Sequence, residues 1–137
     1  MYFQKIAVYF LSTLLASFAS PALAHHGTSV NYDDSRVETL KGTVTRFVWR
    51  NPHSALLVDV MTESGEVIQH AVELPSPASM NRSRGWDRRT FKAGDVIEMK
   101  INPSRTGAPV SNVAGCDQGG CEVIINGELL SPPGPEE

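Results

Sequence analysis

One short segment of this chain can form a helix, and segments typical of β-strands lie on both sides of it. Residues 79–86 are the helix candidate, and Pro75 and Pro77 end the strand that precedes it. Three strand-like segments come before the helix, and two or three come after it. This order predicts a mostly β fold, a small OB-like antiparallel five-stranded barrel with one short helix between strands three and four. A small open β-roll or a sandwich is the alternative.

The strand segments are rich in β-branched side chains and alternate between apolar and polar residues. The first four cover residues 37–49, 55–61, 67–74 and 96–101. Residues 110–115 and 122–125 then predict one interrupted strand or a hairpin, and Asn126-Gly127 predicts a tight turn. Gly42 predicts a bend or a bulge in the first strand.

The first 24 residues predict a secretion signal. Lys5 precedes an apolar run over residues 6–19, and Ala22 and Ala24 fit the small-x-small pattern of a signal peptidase site. The run is shorter than the ~20 residues of a bilayer-spanning helix, and no later segment is apolar enough to span a membrane. We therefore expect export to the periplasm, cleavage after Ala22 or Ala24, and no transmembrane segment after signal removal.

The rest of the chain predicts one domain, with a polar segment before it and another after it. Residues 25–36 form an N-terminal arm, 37–130 the barrel, and 131–137 a flexible, Pro-rich acidic tail. The full chain of 137 residues is too short for a doubly wound nucleotide-binding enzyme. Its 12 basic and 15 acidic residues give a formal net charge of −3, which disfavours nucleic-acid binding. No G-x-S-x-G, Walker, HExxH or dinucleotide-binding motif occurs, so we expect a binding module and not an enzyme.

The two cysteines, Cys116 and Cys121, flank a four-residue loop that contains two glycines. An exported protein with two cysteines usually pairs them, so we expect a disulfide. A redox pair or two thiolate metal ligands are the alternatives. The C-x₄-C spacing differs from the C-x-x-C spacing of redox sites, and no second pair of cysteines exists for a zinc site.

Histidines supply the candidate metal ligands. Cleavage after Ala24 makes His25 the first residue, so its α-amine and imidazole could chelate one metal together. A second imidazole would complete a three-nitrogen site, and His53, in the turn before the second strand, is the best candidate for it. Amine and imidazole nitrogens suit Cu(II). If cleavage follows Ala22, His25 becomes the third residue, which also permits Cu(II) binding through amine, amides and imidazole.

These observations predict a site for copper or another transition metal formed by His25, His26 and His53. The alternative is that His25 and His26 are incidental residues at a frayed end and that His53 holds its turn by a hydrogen bond to a backbone carbonyl. His70 lies on a strand beside Gln69, and we expect it to be a surface or rim residue.

A basic cluster surrounds the predicted helix and consists of Arg82, Arg84, Arg88, Arg89 and Lys92. The planar guanidinium group suits carboxylate or phosphate partners. The cluster therefore predicts an alternative function, a non-metal module that binds a periplasmic partner protein or a small anionic ligand at the barrel rim. A solvated helix face that balances an acidic body is the structural alternative.

Several short motifs are spread over nearly the whole mature chain. They are His25-His26-Gly27, Leu40-Lys41-Gly42-Thr43-Val44, Trp49-Arg50-Asn51-Pro52-His53, Arg84-Gly85-Trp86, Lys92-Ala93-Gly94-Asp95 and Asn102-Pro103-Ser104-Arg105-Thr106-Gly107. In this combination they resemble an uncharacterised family of small exported bacterial proteins, catalogued as a domain of unknown function. The resemblance implies export and a compact β-domain, and little about chemistry. The insertion that carries Cys116 and Cys121 departs from the usual pattern of that family.

Overall fold

The computed structural model describes residues 30–116 and 121–130. Within these residues it has seven strands and one helix: β1 Glu38–Val48, β2 Ser54–Met61, β3 Val67–Leu74, α1 Pro77–Arg84, β4 Val96–Pro103, β5 Val110–Val113, β6 Val123–Ile125 and β7 Glu128–Leu129. The predicted signal, the first part of the arm and the tail lie outside the described residues. None of the helical segments in the described part combines the length and the apolar character that crossing a bilayer requires.

Five of the strands close into a barrel. The ring runs β1-β2-β3-β5-β4 and returns to β1 through the β1–β4 pairing. The helix α1 lies between β3 and β4 in the chain. The OB-like five-stranded barrel with one short helix between strands three and four is therefore confirmed.

The barrel is mixed, because β3 and β5 pair in parallel. Every other neighbouring pair in the ring is antiparallel. The prediction of antiparallel pairing was wrong for β3 and β5, and the reason is geometric. Strand directions cannot alternate all the way around a closed ring of five, so at least one neighbouring pair must run in parallel.

The edge of β4 opposite β1 is shared by two short strands. β5 pairs with residues 101–103 of β4, and β6 pairs with residues 97–99, so the two lie end to end. This arrangement is the predicted interrupted strand. The interruption carries the predicted disulfide between Cys116 and Cys121, whose Cα atoms are 4.3 Å apart. Asn126 and Gly127 form the predicted tight turn between β6 and β7, both with positive φ.

The helix α1 begins and ends two residues earlier than predicted. Ser76 caps its first turn by accepting a hydrogen bond from the backbone N–H of Ser79 at 3.3 Å. Pro77 fits the first helical position, where the backbone N–H needs no intrahelical partner. At the other end Gly85 adopts the left-handed conformation, with φ of 69°, and stops the helix after Arg84.

Aromatic rings connect the helix to the loop that follows β1. Met80 of α1 is buried in the core together with Trp86 and Phe91. Phe91 makes edge-to-face contacts with Trp86 and with Phe47 of β1, and Phe47 makes another with Trp49, at ring-centroid distances of 5.1 to 5.5 Å. This row of rings fixes the start of the β1–β2 loop against the core, and that loop carries His53.

Gly42 lies where β1 packs closely against β2. A Cβ atom at this position would lie 2.4 Å from the carbonyl oxygen of Asp59 and 2.6 Å from Cγ1 of Val58. The register shift of β1 against β2 lies between Val44 and Arg46. The predicted irregularity in the first strand is therefore present, but it lies beyond the glycine, which is needed for close strand packing.

Candidate functional site

A cavity of about 400 Å³, the His53 cavity, lies at one end of the barrel. Its wall comes from the β1–β2 loop, from the start of β2, from the outer face of β3 and from the start of β5, and the N-terminal arm adds Tyr32. The outer faces of strands two and three, with the loops beside them, form the ligand-binding surface in many OB-folds. Likeness of fold does not identify a ligand, because the side chains of a cavity determine what it can bind.

Glu73 contacts two other polar side chains of this cavity, Tyr32 and His53. Val72 and Leu74 point into the core, so the alternation of β3 places Glu73 on the outer face of the sheet. One carboxylate oxygen, Oε2, accepts a hydrogen bond from the hydroxyl of Tyr32 at 2.8 Å. The other, Oε1, contacts Nδ1 of His53. Each oxygen of the carboxylate therefore has its own partner.

His53 is held in one orientation by this contact. It follows the Asn51–Pro52 bond, which is cis, and 46% of its side chain is exposed. When Nδ1 carries the proton that is shared with Glu73, the lone pair lies on Nε2. His53 thus offers one ring nitrogen to a ligand or a metal, while the other is fixed by the protein.

Tyr32 holds the N-terminal arm against the barrel, beside the carboxylate of Glu73. The backbone of the arm pairs with the end of β4, through a bridge from Tyr32 to Ser104 and a hydrogen bond from Asp33 N–H to the carbonyl of Pro103 at 2.9 Å. The side chain of Tyr32 is 8% exposed. Burial, and then the hydrogen bond and negative charge of Glu73, raise the pKa of Tyr32 from 10.0 to about 12.

The predicted metal ligands are only partly described. His25 and His26 lie outside the described residues, seven and six positions before Tyr32. Among residues 30–116 and 121–130, no group of three or more histidine, cysteine, aspartate or glutamate side chains could hold a metal ion. Of the three predicted metal ligands, the described part of the chain contains His53 alone, in contact with Glu73.

His70 does not belong to the cavity. It lies on β3 three positions before Glu73, and its Nε2 is 3.0 Å from Oγ of Ser111, a fully buried residue of β5. Burial lowers the pKa of His70, and the negative charge of Glu38 opposes part of that shift. The side chain is therefore half-buried with a hydrogen-bond partner, and not a freely exposed surface residue.

The predicted arginine cluster is divided by the structure. Arg88 and Arg89 line a second cleft, of about 570 Å³, together with Trp49, Pro77, Ala78 and Asn81. Arg89 binds the carboxylate of Asp87, with 2.7 Å between Nη2 and Oδ2. Arg82 and Arg84 lie on the last turn of α1 and do not line that cleft. The side-chain atoms Nε and Nη2 of Arg84 are buried without a hydrogen-bond partner.

Sequence reasoning missed Glu73 and Tyr32 as residues of the His53 cavity. The signal for Glu73 was available in the β2–β3 hairpin, because its register pairs Ala55 with Glu73 and so places Glu73 beside the loop that carries His53. Tyr32 gave no comparable signal, since it lies outside the periodic segments. Its position depends on where the arm crosses the barrel.

A family model described as a family of unknown function, DUF6152, matches residues 13–112. The matched range includes every residue of the His53 cavity. No curated protein and no solved structure matches the chain. Because the family model covers well over half of the sequence, the resemblance drawn from the short motifs is confirmed, and the chain belongs to DUF6152, a family of unknown function.

Proposed function

We propose that this protein is an exported, periplasmic binding module that holds a copper ion or another transition-metal ion through His25, His26 and His53. The observation that carries the proposal is the contact between Nδ1 of His53 and Glu73. Histidines that bind metals almost always donate their other ring N–H to a carboxylate, a carbonyl or water, which fixes the tautomer and makes the ligand more basic. His53 has such a partner in place.

The position of Tyr32 supports a contribution from the arm. Its hydroxyl is bonded to the same carboxylate that orients His53, so the arm begins its course along the barrel at this cavity. Five residue steps separate His25 from Val30, the first described residue, and five residues span at most about 18 Å when fully extended. We propose that this segment brings His25 and His26 to His53.

The nitrogen donors that this proposal assigns to the site favour copper. An α-amine, the imidazole of His25 and the imidazole of His53 would form a set of three nitrogens, to which His26 could add a fourth. Such sets favour Cu(II), which binds N-donor sites most tightly among the common divalent ions and prefers tetragonal geometry. The carboxylate of Glu73 would act through His53 as a positioning group.

The disulfide supports the proposed compartment. Cys116 and Cys121 are bonded, and both lie in the core cluster. Disulfides persist in oxidising compartments such as the bacterial periplasm and are rare in the cytosol. The mature N-terminus, measured by mass spectrometry on protein recovered from a periplasmic extract, tests export and determines whether cleavage follows Ala22 or Ala24. A full-length product retained in the cytoplasm would refute export.

The metal proposal is tested by Cu(II) titration calorimetry on protein that begins at His25. The same protein with one extra alanine before His25 should bind at least tenfold more weakly, because the α-amine no longer joins the chelate. His53→Ala removes one donor and should also weaken binding. Glu73→Gln keeps all donors but loses the positioning carboxylate, and a loss of about 10- to 100-fold is expected.

His70→Ala is the matched control, because it deletes an imidazole that lies outside the cavity. It should leave Cu(II) affinity unchanged. Equal affinity with and without the extra alanine would exclude the α-amine from the site. Equal affinity of the His53→Ala variant and the parent protein would remove the described part of the chain from the site and refute the proposal.

A further inference from the structure

The second cleft has an apolar wall and a basic edge. Trp49, Pro77 and Ala78 form the wall, and the volume of about 570 Å³ is within the usual range for ligand sites. Trp49 packs against the core cluster but keeps part of its surface exposed, so an indole ring is available at the cleft. Grooves lined by aromatic side chains are typical binding sites for proline-rich segments.

The basic edge of the cleft comes from Arg88. Arg89 and Asp87 also line the cleft, but they bind each other, with 2.7 Å between Nη2 and Oδ2, so their charges largely cancel. Arg88 is exposed and makes no ion pair or hydrogen bond within residues 30–116 and 121–130. Among those residues, the edge therefore carries one positive charge without a bound partner.

One segment of the same chain matches both sides of this cleft. The tail, residues 131–137, reads Ser-Pro-Pro-Gly-Pro-Glu-Glu, so its apolar side chains are all prolines and its charges are all negative. Proline-rich segments favour the extended polyproline II conformation, which presents proline rings to aromatic grooves. The three prolines suit the wall that contains Trp49, and the two glutamates suit the charge of Arg88.

The tail begins on the same packed body as the cleft. Leu130, the last described residue, packs against the core cluster, and its backbone N–H donates to the carbonyl of Val123 at 2.7 Å. Trp49 packs against that cluster as well. The cluster also includes Met80 of α1, the helix whose first turn forms part of the cleft wall. The start of the tail and the cleft are thus fixed to one hydrophobic core.

We propose that the tail docks in the second cleft of its own chain. Its prolines pack against Trp49 and Pro77, and its two glutamates pair with Arg88. Tethering gives the tail an effective concentration on the order of millimolar at the cleft, so a weak contact is enough to occupy it. The contact involves neither His53 nor the N-terminal arm, so it is independent of the proposed metal site.

The fluorescence of Trp49 tests this contact. The chain has two tryptophans, and Trp86 is 3% exposed, so a change in quenching by acrylamide reports Trp49. Processed protein that carries the tail is compared with the same protein shortened to end at Leu130. Removal of the tail should uncover the indole, shift its emission to longer wavelength and raise the quenching constant at least twofold. The same emission and quenching in both proteins would overturn the proposal.

Substitutions in the full chain separate the two sides of the contact. Replacing Pro132, Pro133 and Pro135 by alanine should reproduce the quenching of the shortened protein. Arg88→Gln should raise quenching toward that value, whereas Arg46→Gln, at an exposed arginine of β1 outside the cleft, should leave it unchanged. Equal effects of the two arginine variants would show a general charge effect and refute the proposed contact.

Dilution determines whose tail occupies the cleft. Docking within one chain should give the same quenching constant over a hundredfold range of protein concentration. Quenching that rises on dilution would mean that the cleft holds the tail of a second copy, and docking within the chain would be refuted. A synthetic peptide of residues 131–137 should protect Trp49 in the shortened protein and bind the full chain at least tenfold more weakly. Equal binding of the peptide to both proteins would contradict occupation of the cleft by the tail.

Discussion

Tyr32→Phe tests the contact that holds the N-terminal arm at the cavity. The ring of Tyr32 is 8% exposed and stays buried in the variant, so the substitution removes the hydroxyl alone. That hydroxyl donates to Glu73 at 2.8 Å, and hydrogen bonds to charged groups contribute about 1.5–3 kcal/mol. Because Glu73 keeps its contact with His53 and is 28% exposed, water can replace the lost donor. We therefore expect the free energy of unfolding to fall by about 1.5 kcal/mol.

The stability of Tyr32→Phe should also differ from that of the wild type in its dependence on pH. The pKa of Tyr32 is raised from 10.0 to about 12 in the folded protein, so folding favours the protonated phenol. The resulting stabilisation is complete below pH 10 and is lost as the pH rises from 10 to about 12. Phenylalanine has no proton to lose, so this component of the alkaline loss should be absent from Tyr32→Phe.

The assay is urea unfolding of processed wild-type and variant protein, at neutral pH and through the alkaline range. Of the three tyrosines, Tyr2 and Tyr9 lie in the predicted signal, so the absorbance of tyrosinate in the mature chain reports Tyr32 directly. Thr45→Val is the matched control, because it removes another partly buried hydroxyl, which donates to the carbonyl of Leu57 and not to Glu73. It should keep the alkaline loss. Equal stability of wild type and Tyr32→Phe at neutral pH, or the same alkaline loss in both, would refute this reasoning.

Three further predictions concern the barrel. Trp86→Ala should cost about 3–5 kcal/mol in urea unfolding, because the ring is 3% exposed and its loss leaves a cavity; a cost below about 1 kcal/mol would contradict its place in the core. Gly42→Ala should cost about 1–3 kcal/mol, since the added Cβ would lie 2.4 Å from a backbone oxygen of β2, and an unchanged urea midpoint would show that the strands can separate there. Replacing Cys116 and Cys121 by serine should cost about 2 kcal/mol by the chain-entropy model, and reducing the wild type should give a similar loss; equal stability of the oxidised and reduced wild type would contradict this.

The sequence predicted the barrel because alternation, turn residues and one short helix are local signals that the tertiary structure did not override. It did not predict the parallel β3–β5 pair, which follows from closing the ring and not from any residue in either strand. The same distinction applies to the site. His53 could be identified as a candidate because it is a histidine in a predicted turn. Glu73 has no such distinction in the sequence, and its place near His53 follows only from the hairpin register, which puts it opposite Ala55. Tyr32 depends on the path of the arm, which no periodic pattern describes.

The shortness of β5 has a consequence for the motion of the barrel. Its four residues connect β3 to β4, whereas the other four strands of the ring have eight or eleven residues. Local opening is easiest where few backbone hydrogen bonds must break together. The amide protons of β5 should therefore exchange with solvent sooner than those of β2. Val110 lies on one side of this junction and Ala71 and Glu73 on the other, so opening at β5 would also separate two walls of the His53 cavity.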